Sequence, residues 1–465
     1  MSEKSKAELL KEKLFIDRKN GLRSASDEKW EKITAFCEGY KSFLAKGKTE
    51  REAAKEAIRI AEAAGFTPYV QGKKYEAGEK YYVNNRGKTV AFVVVGKNTV
   101  DSGTMITAAH IDSPRIDLKP NPLYEDTEMA LFKTHYYGGI KKYQWTAMPL
   151  ALHGVFAKKD GTVTEVCIGE EENDPCFVIT DLLPHLAQEQ YKRTLNEGIK
   201  GEELNILIGS RPFKDDKASE LVKLNIMAIL NEKYGVTEED FLSAELECVP
   251  AAKPCDIGFD RSLIGSYGHD DRVCAYPALI AITEVENPEK TAIAILTDKE
   301  EIGSDGNTGL NSDFLRYVVR DIAEAQGVDY TVALRNSKCL SADVNAGLDP
   351  TFKDVMEAKN AARLNYGAVI TKYTGARGKS GTSDASAEYV AYVRNMLDEA
   401  GIIWQTGELG KVDLGGGGTV AMYIANMGVD VVDLGVPVLS MHAPFEVVSK
   451  LDVYETYRTM YEFCK

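Results

Sequence analysis

Long apolar runs, closely spaced cysteines and an excess of positive charge are all missing from this sequence of 465 residues. No stretch approaches the roughly 20 apolar residues of a membrane helix, and the N-terminal segment has no apolar signal-peptide region. The net charge of −15 argues against nucleic acid or an anionic membrane as a partner. The eight cysteines are scattered without a CxxC pair, which suggests neither a disulfide framework nor a thiolate zinc site. We therefore expect a protein of the reducing cytoplasm.

Histidine is scarce too, so the sequence context of each imidazole carries information. The chain has six histidines: His110, His135, His153, His185, His269 and His442. Its length and its 44% hydrophobic residues are enough for a large core and exceed what one simple domain needs.

The pattern of the sequence changes near residues 120 and 255. Before 120, Thr49 and Glu52 form a capping-box pattern that predicts a helix through EAAKEAIRIAEAA, and strands follow in KYYVNN, TVAFVVVG and TMITAAH. Between 120 and 255, stretches such as GVFAKKDGTVTEVCIG predict antiparallel strands without regular strand–helix alternation. We predict an α/β mixed-sheet domain from residues 1–119 and 256–465, interrupted by a β-rich domain at 120–255.

Strand–helix alternation returns after residue 260. We predict helices in DDRVCAYPALIAITEV, kinked near Pro277, in NSDFLRYVVRDIAEAQG and in DASAEYVAYVRNMLDEAG. Strands are predicted in TAIAILT, in VDYTVALR and as a pair in VDVVDLGVPVLSMH, and a final helix in FEVVSKLDVYETYRTMYEFC.

Acidic and imidazole side chains recur where the predicted elements begin or end. These residues are His110 and Asp112, Asp270 and Asp271, Glu300 and Glu301, Asp343, and His442. Because ligands of open α/β sheets bind beyond the carboxyl ends of the strands, we expect these side chains to share one edge. Nitrogen and carboxylate ligands without thiolate suit zinc, with cobalt or manganese as alternatives. Their number exceeds the needs of one tetrahedral zinc and favours a hydrolytic two-metal site with a bridging water.

Each of these residues also has a structural explanation when taken alone. His110 and His442 could be structural histidines, Asp270 and Asp271 could cap the following helix, and Asp343 could be a turn residue. The adjacent Glu300 and Glu301 point in opposite directions in an extended chain, so one could bind metal while the other serves as a general base. It is the combination at the predicted strand ends that favours a site.

The motifs TAAHIDSPR, GHDDRVCAYPAL, DKEEIGS, SADVNAG and VLSMHAPFE together resemble the aspartyl aminopeptidase and vacuolar aminopeptidase I family of dinuclear zinc metallopeptidases. The resemblance covers nearly the whole chain, with the motifs in the same order. It implies a catalytic α/β domain with an inserted β-rich dimerisation domain. It also implies homo-oligomers, in which dimers assemble into a tetrahedral dodecamer.

The resemblance assigns roles to individual residues. It implies His110 and Asp343 as ligands of one metal, with Asp112 holding the His110 ring, and Asp270 as the bridging carboxylate. Glu300 matches the general base, while Glu301 and His442 match ligands of the second metal. The segment MPLALH (148–153) resembles a dimerisation-domain motif, so His153 is a candidate for contacting substrate in the partner subunit.

Two further substrate contacts are proposed from the sequence. Lys372, in the basic segment KYTGARGK, could meet a carboxylate of the substrate or could lie in a solvated loop. Gly418, in the run GGGGT, could allow close approach of the backbone to a ligand. The segment GARGKSGTS is not a phosphate-binding loop, because Tyr373 stands where that motif needs glycine. His135, His185 and His269 are interpreted as non-ligands.

The leading hypothesis is a metalloaminopeptidase that acts on peptides and contains two divalent metal ions. A carboxypeptidase or N-acyl-amino-acid deacylase with the same metals is the first alternative. A non-catalytic assembly protein is the second. In the aspartyl-preferring relatives, histidines follow the SAD motif, whereas this chain has Val344 and Asn345 there. The resemblance therefore does not imply a strict preference for acidic substrates.

Overall fold

The computed structural model describes residues 4–215 and 217–465. The α-helices are α1 Lys6–Leu14, α2 Asp27–Lys46, α3 Glu50–Ala63, α4 Leu221–Tyr234, α5 His269–Glu284, α6 Phe314–Gln326, α7 Tyr330–Asn336, α8 Ala387–Glu399, α9 Ala421–Ala425 and α10 Lys450–Cys464. Among the part of the chain described, no helix has the length and apolar character needed to cross a membrane.

The strands fall into three sheets. They are β1 Thr67–Pro68, β2 Lys80–Asn85, β3 Thr89–Val94, β4 Met105–His110, β5 Arg115–Asp126, β6 Met129–Tyr137, β7 Leu150–Ala157, β8 Val163–Ile168, β9 Val178–Ile179, β10 Ile206–Gly209, β11 Ala244–Pro250, β12 Cys255–Ile257, β13 Leu263–Ser266, β14 Ala292–Thr297, β15 Lys338–Ser341, β16 Asn345–Ala346, β17 Ala368–Thr371, β18 Trp404–Thr406, β19 Asp430–Gly435, β20 Pro437–Leu439 and β21 Glu446–Ser449.

The largest sheet has nine strands in the order β1-β2-β3-β14-β4-β15-β19-β17-β18. Its centre is parallel, because β4 pairs in parallel with β14 and β15, and β15 pairs in parallel with β19. Strands β3, β4 and β14 are buried along their whole lengths, as expected where helices cover both faces of a sheet. The predicted α/β class with a mixed sheet is confirmed.

Helices cover the two faces of this sheet in separate apolar cores. One core contains side chains of α2, α3, α5, α8 and α10, and the other contains side chains of α6, α7 and α9. Helix α3 begins with the predicted capping box of Thr49 and Glu52, and α6 ends at Gly327 in the left-handed conformation. Pro277 lies inside α5, but the non-helical backbone of this helix is at Asp270 and Asp271 rather than near Pro277, where the kink was predicted.

A seven-stranded antiparallel sheet, in the order β8-β7-β11-β5-β6-β10-β9, is built from strands between residues 115 and 250. The predicted insertion at 120–255 covers most of these strands, and its character as a separate dimerisation domain stays a prediction. The third sheet, of five strands in the order β12-β13-β21-β20-β16, carries the segments that lead to Asp270 and His442.

Two elements predicted in the second half of the chain are wrong. The segment VDYTVALR, predicted as a strand, forms α7, whose first turn is capped by the Asp329 side chain accepting from the Thr331 backbone N–H. The start of the last predicted helix is strand β21, and the helix begins only at Lys450 after the Ser449 cap. Capping overrides the predicted strand at α7, and pairing with the neighbouring strand overrides the predicted helix at β21.

Candidate metal centre

His110 is the last residue of β4 and lies at the carboxyl end of the central parallel strands. The ring is 1% exposed, and its Nδ1 lies 3.0 Å from the backbone carbonyl oxygen of Asp112 and 3.3 Å from Asp112 Oδ1. Because Nδ1 faces these acceptors, Nε2 is the nitrogen left to face the site.

The Asp112 carboxylate organises the neighbouring turn. It is fully buried and accepts hydrogen bonds from the Tyr137 hydroxyl at 2.8 Å, from the Glu300 backbone N–H at 3.1 Å and from the Glu301 backbone N–H at 3.2 Å. Asp112 therefore connects the end of β4 to the short helical turn at Glu300–Ile302.

The two adjacent glutamates approach different histidines. Glu300 Oε2 lies 3.8 Å from His110 Nε2, whereas Glu301 Oε1 lies 3.5 Å from His442 Nε2. Lys299, which precedes them, has a left-handed backbone with a φ of 68° and opens the turn directly after β14. The turn divides the two carboxylates between two imidazoles.

Asp270 lies between the two histidines. Its Oδ1 is 3.1 Å from His110 Nε2 and its Oδ2 is 3.1 Å from His442 Nε2. Asp343 Oδ1 approaches His110 Nε2 at 3.9 Å. Three sets of donor atoms lie at this site, and the atoms of each set are within 4.8 Å of one another. The sets are His110, Asp270 and Asp343; Asp270, Glu301 and His442; and His110, Glu300 and Glu301.

Neither Asp270 nor His442 follows a strand of the nine-stranded sheet, although we expected the candidate ligands to share one edge of a single sheet. Asp270 lies at the start of α5, after β13, and His442 follows β20, so both come from the five-stranded sheet. The site forms where the carboxyl edge of the large sheet meets this smaller sheet.

Burial and mutual proximity shift the acidities of these groups. Burial raises the pKa of Glu300 to about 7, and it raises the pKa values of Glu301 and Asp343 well above their usual range. Although burial opposes it, contact with carboxylates raises the pKa of His110 well above its usual value and that of His442 to about 10. A divalent cation would offset this crowding of buried acidic groups.

The residues present fit such an ion. Glu301 Oε1 is buried and accepts no hydrogen bond from the described residues, so one carboxylate oxygen is free for a cation. Imidazole nitrogen and carboxylate oxygen are ligands that zinc takes, and Asp270 is shared by the donor set with Asp343 and the donor set with His442. The arrangement has the ligand types and the shared carboxylate of a two-metal hydrolytic site.

A cavity of about 400 Å³ opens beside these groups. Gly418 lines it together with Gly416 and Gly417, so the glycine run reaches the site. Lys372 does not line this cavity; its Nζ pairs with Asp384 Oδ1 at 2.5 Å. The proposed contact between Lys372 and substrate therefore gains no support from the position of this side chain.

His153 lies away from the cavity and is engaged by its own chain. It is 2% exposed, with Nδ1 2.7 Å from Glu52 Oε1 and Nε2 3.1 Å from Glu170 Oε1. Within its own chain this ring therefore has a carboxylate at each nitrogen. The contact of His153 with substrate in a partner subunit stays a prediction.

Sequence reasoning missed Tyr137 and Glu446. Tyr137 ends β6 and holds Asp112, and no motif pointed to it. Glu446 is the last residue of the motif VLSMHAPFE, so its position was in view without a role. The interpretation of His269 as a non-ligand agrees with its contacts, since its ring nitrogens bond the Tyr40 hydroxyl and the Ile264 carbonyl oxygen.

The α/β fold and the imidazole and carboxylate donors define a metal-dependent hydrolase. The model of the aminopeptidase I zinc metalloprotease (M18) family matches residues 43–464. The chain belongs to the peptidase M18 family and is an aminopeptidase of the zinc metalloprotease class, which confirms the resemblance found in the sequence.

Similar proteins are known from bacteria and from yeast. The probable M18 family aminopeptidase 1 of Clostridium acetobutylicum is 51% identical, with 95% of this chain and 97% of that protein covered. The crystal structure of the M18 family aminopeptidase from Thermotoga maritima has a TM-score of 0.93 and 48% identity, covering 97% of this chain and 99% of that chain. The Saccharomyces cerevisiae mApe1 dodecamer, at 21% identity, a TM-score of 0.75 and coverage of 93% and 97%, shares the fold.

Proposed function

We propose that this aminopeptidase holds two zinc ions and removes the N-terminal residue from peptides with Glu300 as the general base. The observation that carries the proposal is the position of Asp270, whose two carboxylate oxygens each lie 3.1 Å from a different imidazole. His110 and Asp343 would complete one set of ligands, and Glu301 and His442 the other. When bound, the ions would polarise the scissile carbonyl and lower the pKa of water.

Glu300 is suited to moving a proton at this site. It approaches His110 at 3.8 Å and belongs to neither of the two donor sets that share Asp270. Its backbone N–H donates to the Asp112 carboxylate. With its pKa raised by burial to about 7, the carboxylate can accept a proton from water and return it to the leaving amine near neutral pH.

The cavity supports a neutral side chain on the N-terminal residue of the substrate. Its lining includes Val344, Leu409, Met422 and Met441, and no lysine or arginine is found among the described residues that line it. An acidic substrate side chain would find no cationic side chain there apart from the His442 ligand, whereas the free amine could face the carboxylates of the site. We infer that leucine and methionine are preferred over aspartate and glutamate.

The roles of the two glutamates are tested by exchanging each for glutamine. Glu300→Gln should bind zinc with an affinity like that of the unchanged protein and lose about 10²–10⁴-fold in kcat. Glu301→Gln should lose zinc affinity as well as activity. Zinc binding is measured by competition with a chromophoric chelator, and activity with aminoacyl-p-nitroanilides of Leu, Met, Asp and Glu. Near-normal turnover by Glu300→Gln would overturn the assignment of the base.

The same assay, extended to N-blocked peptides, separates the proposal from its alternatives. A carboxypeptidase or deacylase with the same ligands would cleave N-blocked peptides, which an aminopeptidase must ignore. A non-catalytic assembly protein would hydrolyse neither group. We expect hydrolysis of the free aminoacyl substrates alone.

We also propose that the chain acts as a homo-oligomer, with dimers formed through the inserted region and assembled into a tetrahedral dodecamer. Supporting this, the segment after β9 exposes Leu182, Leu183, Leu186 and Leu195, each at least half exposed, and apolar patches of this kind mark interfaces. Sedimentation should give a mass well above the 51.2 kDa of one chain.

A reducing, cytoplasmic location is proposed from the eight free cysteines.

A further inference from the structure

Glu446 is a buried carboxylate that contacts two of the proposed ligand segments at once. It begins β21 and is 1% exposed. Its Oε1 accepts a hydrogen bond from the His442 backbone N–H at 2.7 Å, and its Oε2 accepts one from the Asp270 backbone N–H at 3.1 Å. One side chain therefore links the loop after β20 to the start of α5.

The backbone at His442 needs such support. His442 has a φ of 64° and Ser440 a φ of 58°, so two residues in this loop adopt the left-handed conformation that L-residues disfavour. This conformation costs about 1–2 kcal/mol per residue and persists only where surrounding contacts enforce it. The hydrogen bond from the His442 N–H to Glu446 is such a contact, and a second joins His442 Nδ1 to the Gly139 carbonyl oxygen at 2.8 Å.

We propose that Glu446 is a positioning residue that sets the distance between Asp270 and His442 and so prepares the site for metal. The inference rests on the proposed function, because it concerns ligands of the metals proposed there. Glu446 fixes the backbone of each ligand, whereas the 3.1 Å contact between Asp270 Oδ2 and His442 Nε2 joins their side chains. Without Glu446, the His442 loop can relax its left-handed backbone and carry the imidazole away from Asp270.

Glutamine is the informative substitution at this position. It keeps the shape of the side chain but has one acceptor oxygen and one amide nitrogen, so only one of the two backbone N–H groups keeps its acceptor. Glu446→Ala removes both hydrogen bonds. We expect zinc affinity to fall about 10–100-fold in Glu446→Gln, the range found when groups that orient metal ligands are replaced, and further in Glu446→Ala.

Asp452 provides the matched control. It too is a buried carboxylate that accepts two backbone N–H groups, from Asn365 at 2.7 Å and Gly367 at 2.6 Å, but these residues belong to no proposed ligand segment. Asp452→Asn should lower the stability of the chain while leaving zinc affinity unchanged.

The experiment compares the unchanged full chain with these variants by zinc competition titration, by the visible spectrum of the cobalt-loaded protein and by kcat and KM at saturating metal. Support consists of weakened binding, an altered cobalt spectrum and a reduced kcat in Glu446→Gln but not in Asp452→Asn. If Glu446→Gln binds zinc as the unchanged protein does, the positioning role is refuted. If the unchanged protein itself binds no zinc, the proposed function fails instead.

Discussion

Replacing Asp112 with asparagine tests how the site is built. His110 Nδ1 lies 3.0 Å from the backbone carbonyl oxygen of Asp112 and 3.3 Å from its carboxylate, and a change of the side chain to asparagine leaves that carbonyl in place. The carboxylate instead holds the turn that carries Glu300 and Glu301. We therefore expect Asp112→Asn to disturb the turn more than it disturbs His110.

The magnitude follows from the donors that the carboxylate accepts. Oδ1 accepts from the Glu300 N–H, and Oδ2 accepts from the Glu301 N–H and the Tyr137 hydroxyl. Asparagine keeps one acceptor oxygen and replaces the other with an NH₂ group, so the donors that faced the replaced oxygen lose their acceptor. Each buried donor left without an acceptor costs about 1–3 kcal/mol of stability. A displacement of the Glu300 carboxylate by about 1 Å would lower kcat about 10²-fold.

The measurement pairs kcat on a leucyl-p-nitroanilide with zinc affinity and thermal unfolding. In Asp112→Asn we expect kcat to fall about 10²-fold and zinc affinity about 10-fold, at the lower end for groups around a metal ligand. Tyr137→Phe is the control, since it removes one donor and leaves the carboxylate in place; it should cost about 1 kcal/mol of stability and little activity. If Asp112→Asn loses zinc affinity as strongly as turnover, the carboxylate orients His110 and the reasoning is wrong.

Two further substitutions follow from the contacts. His153→Gln removes a buried imidazole between Glu52 and Glu170, so the free energy of unfolding should drop by about 3–5 kcal/mol in urea denaturation near neutral pH. Hydrogen bonds with its neighbours outweigh burial and raise the pKa of His153 to about 11 from an ordinary value of 6.5. The stability that protonated His153 contributes is therefore complete below pH 6.5 and declines as the pH rises toward 11. A difference in the free energy of unfolding between the unchanged protein and His153→Gln that stayed constant from about pH 6 to 10 would count against this ion pair. Gly435→Ala would place a Cβ 1.9 Å from the Asp343 carbonyl oxygen. It should lower zinc affinity at least about 10-fold, the order seen when the support of a metal ligand is disturbed. Gly378→Ala, with open space around its Cβ, is the control, and equal zinc affinities in the two variants would contradict the argument.

The sequence predicted the elements whose local signals agree with their packing. The apolar runs of β4 and β14 could only be buried strands, and the capping box of Thr49 and Glu52 marks the start of α3. It misassigned VDYTVALR because its β-branched residues favour a strand, while the Asp329 cap and packing against the sheet make it a helix. The packing leaves no periodic trace in the segment itself, whereas the Asp329 cap is a local signal that the segment does contain.

The candidate ligands could be predicted because their chemistry is uncommon and their motifs short. A buried histidine followed two residues later by aspartate, as in His110 and Asp112, attracts attention wherever it occurs. The predicted substrate contacts of Lys372 and His153 had weaker support. The prediction for Lys372 rested on the charge of a loop, and that for His153 rested on resemblance alone. In the structure each is paired with a carboxylate of its own chain, a partner that sequence distance concealed.

The supporting carboxylates are the part of the site that spacing cannot reveal. Asp112 binds the N–H of Glu300 at a separation of 188 residues, and Glu446 binds the N–H of Asp270 at a separation of 176. Every residue except proline offers a backbone N–H, so the partner's identity leaves no signature in the sequence. Both carboxylates nevertheless serve one physical purpose, because each ties ligand segments that leave different strands of one sheet. Asp112 joins the segments after β4 and β14 of the nine-stranded sheet, and Glu446 joins those after β13 and β20 of the five-stranded sheet. A site at the junction of two sheets needs such ties, since the ligands from each sheet must be fixed relative to one another before the two sets can meet.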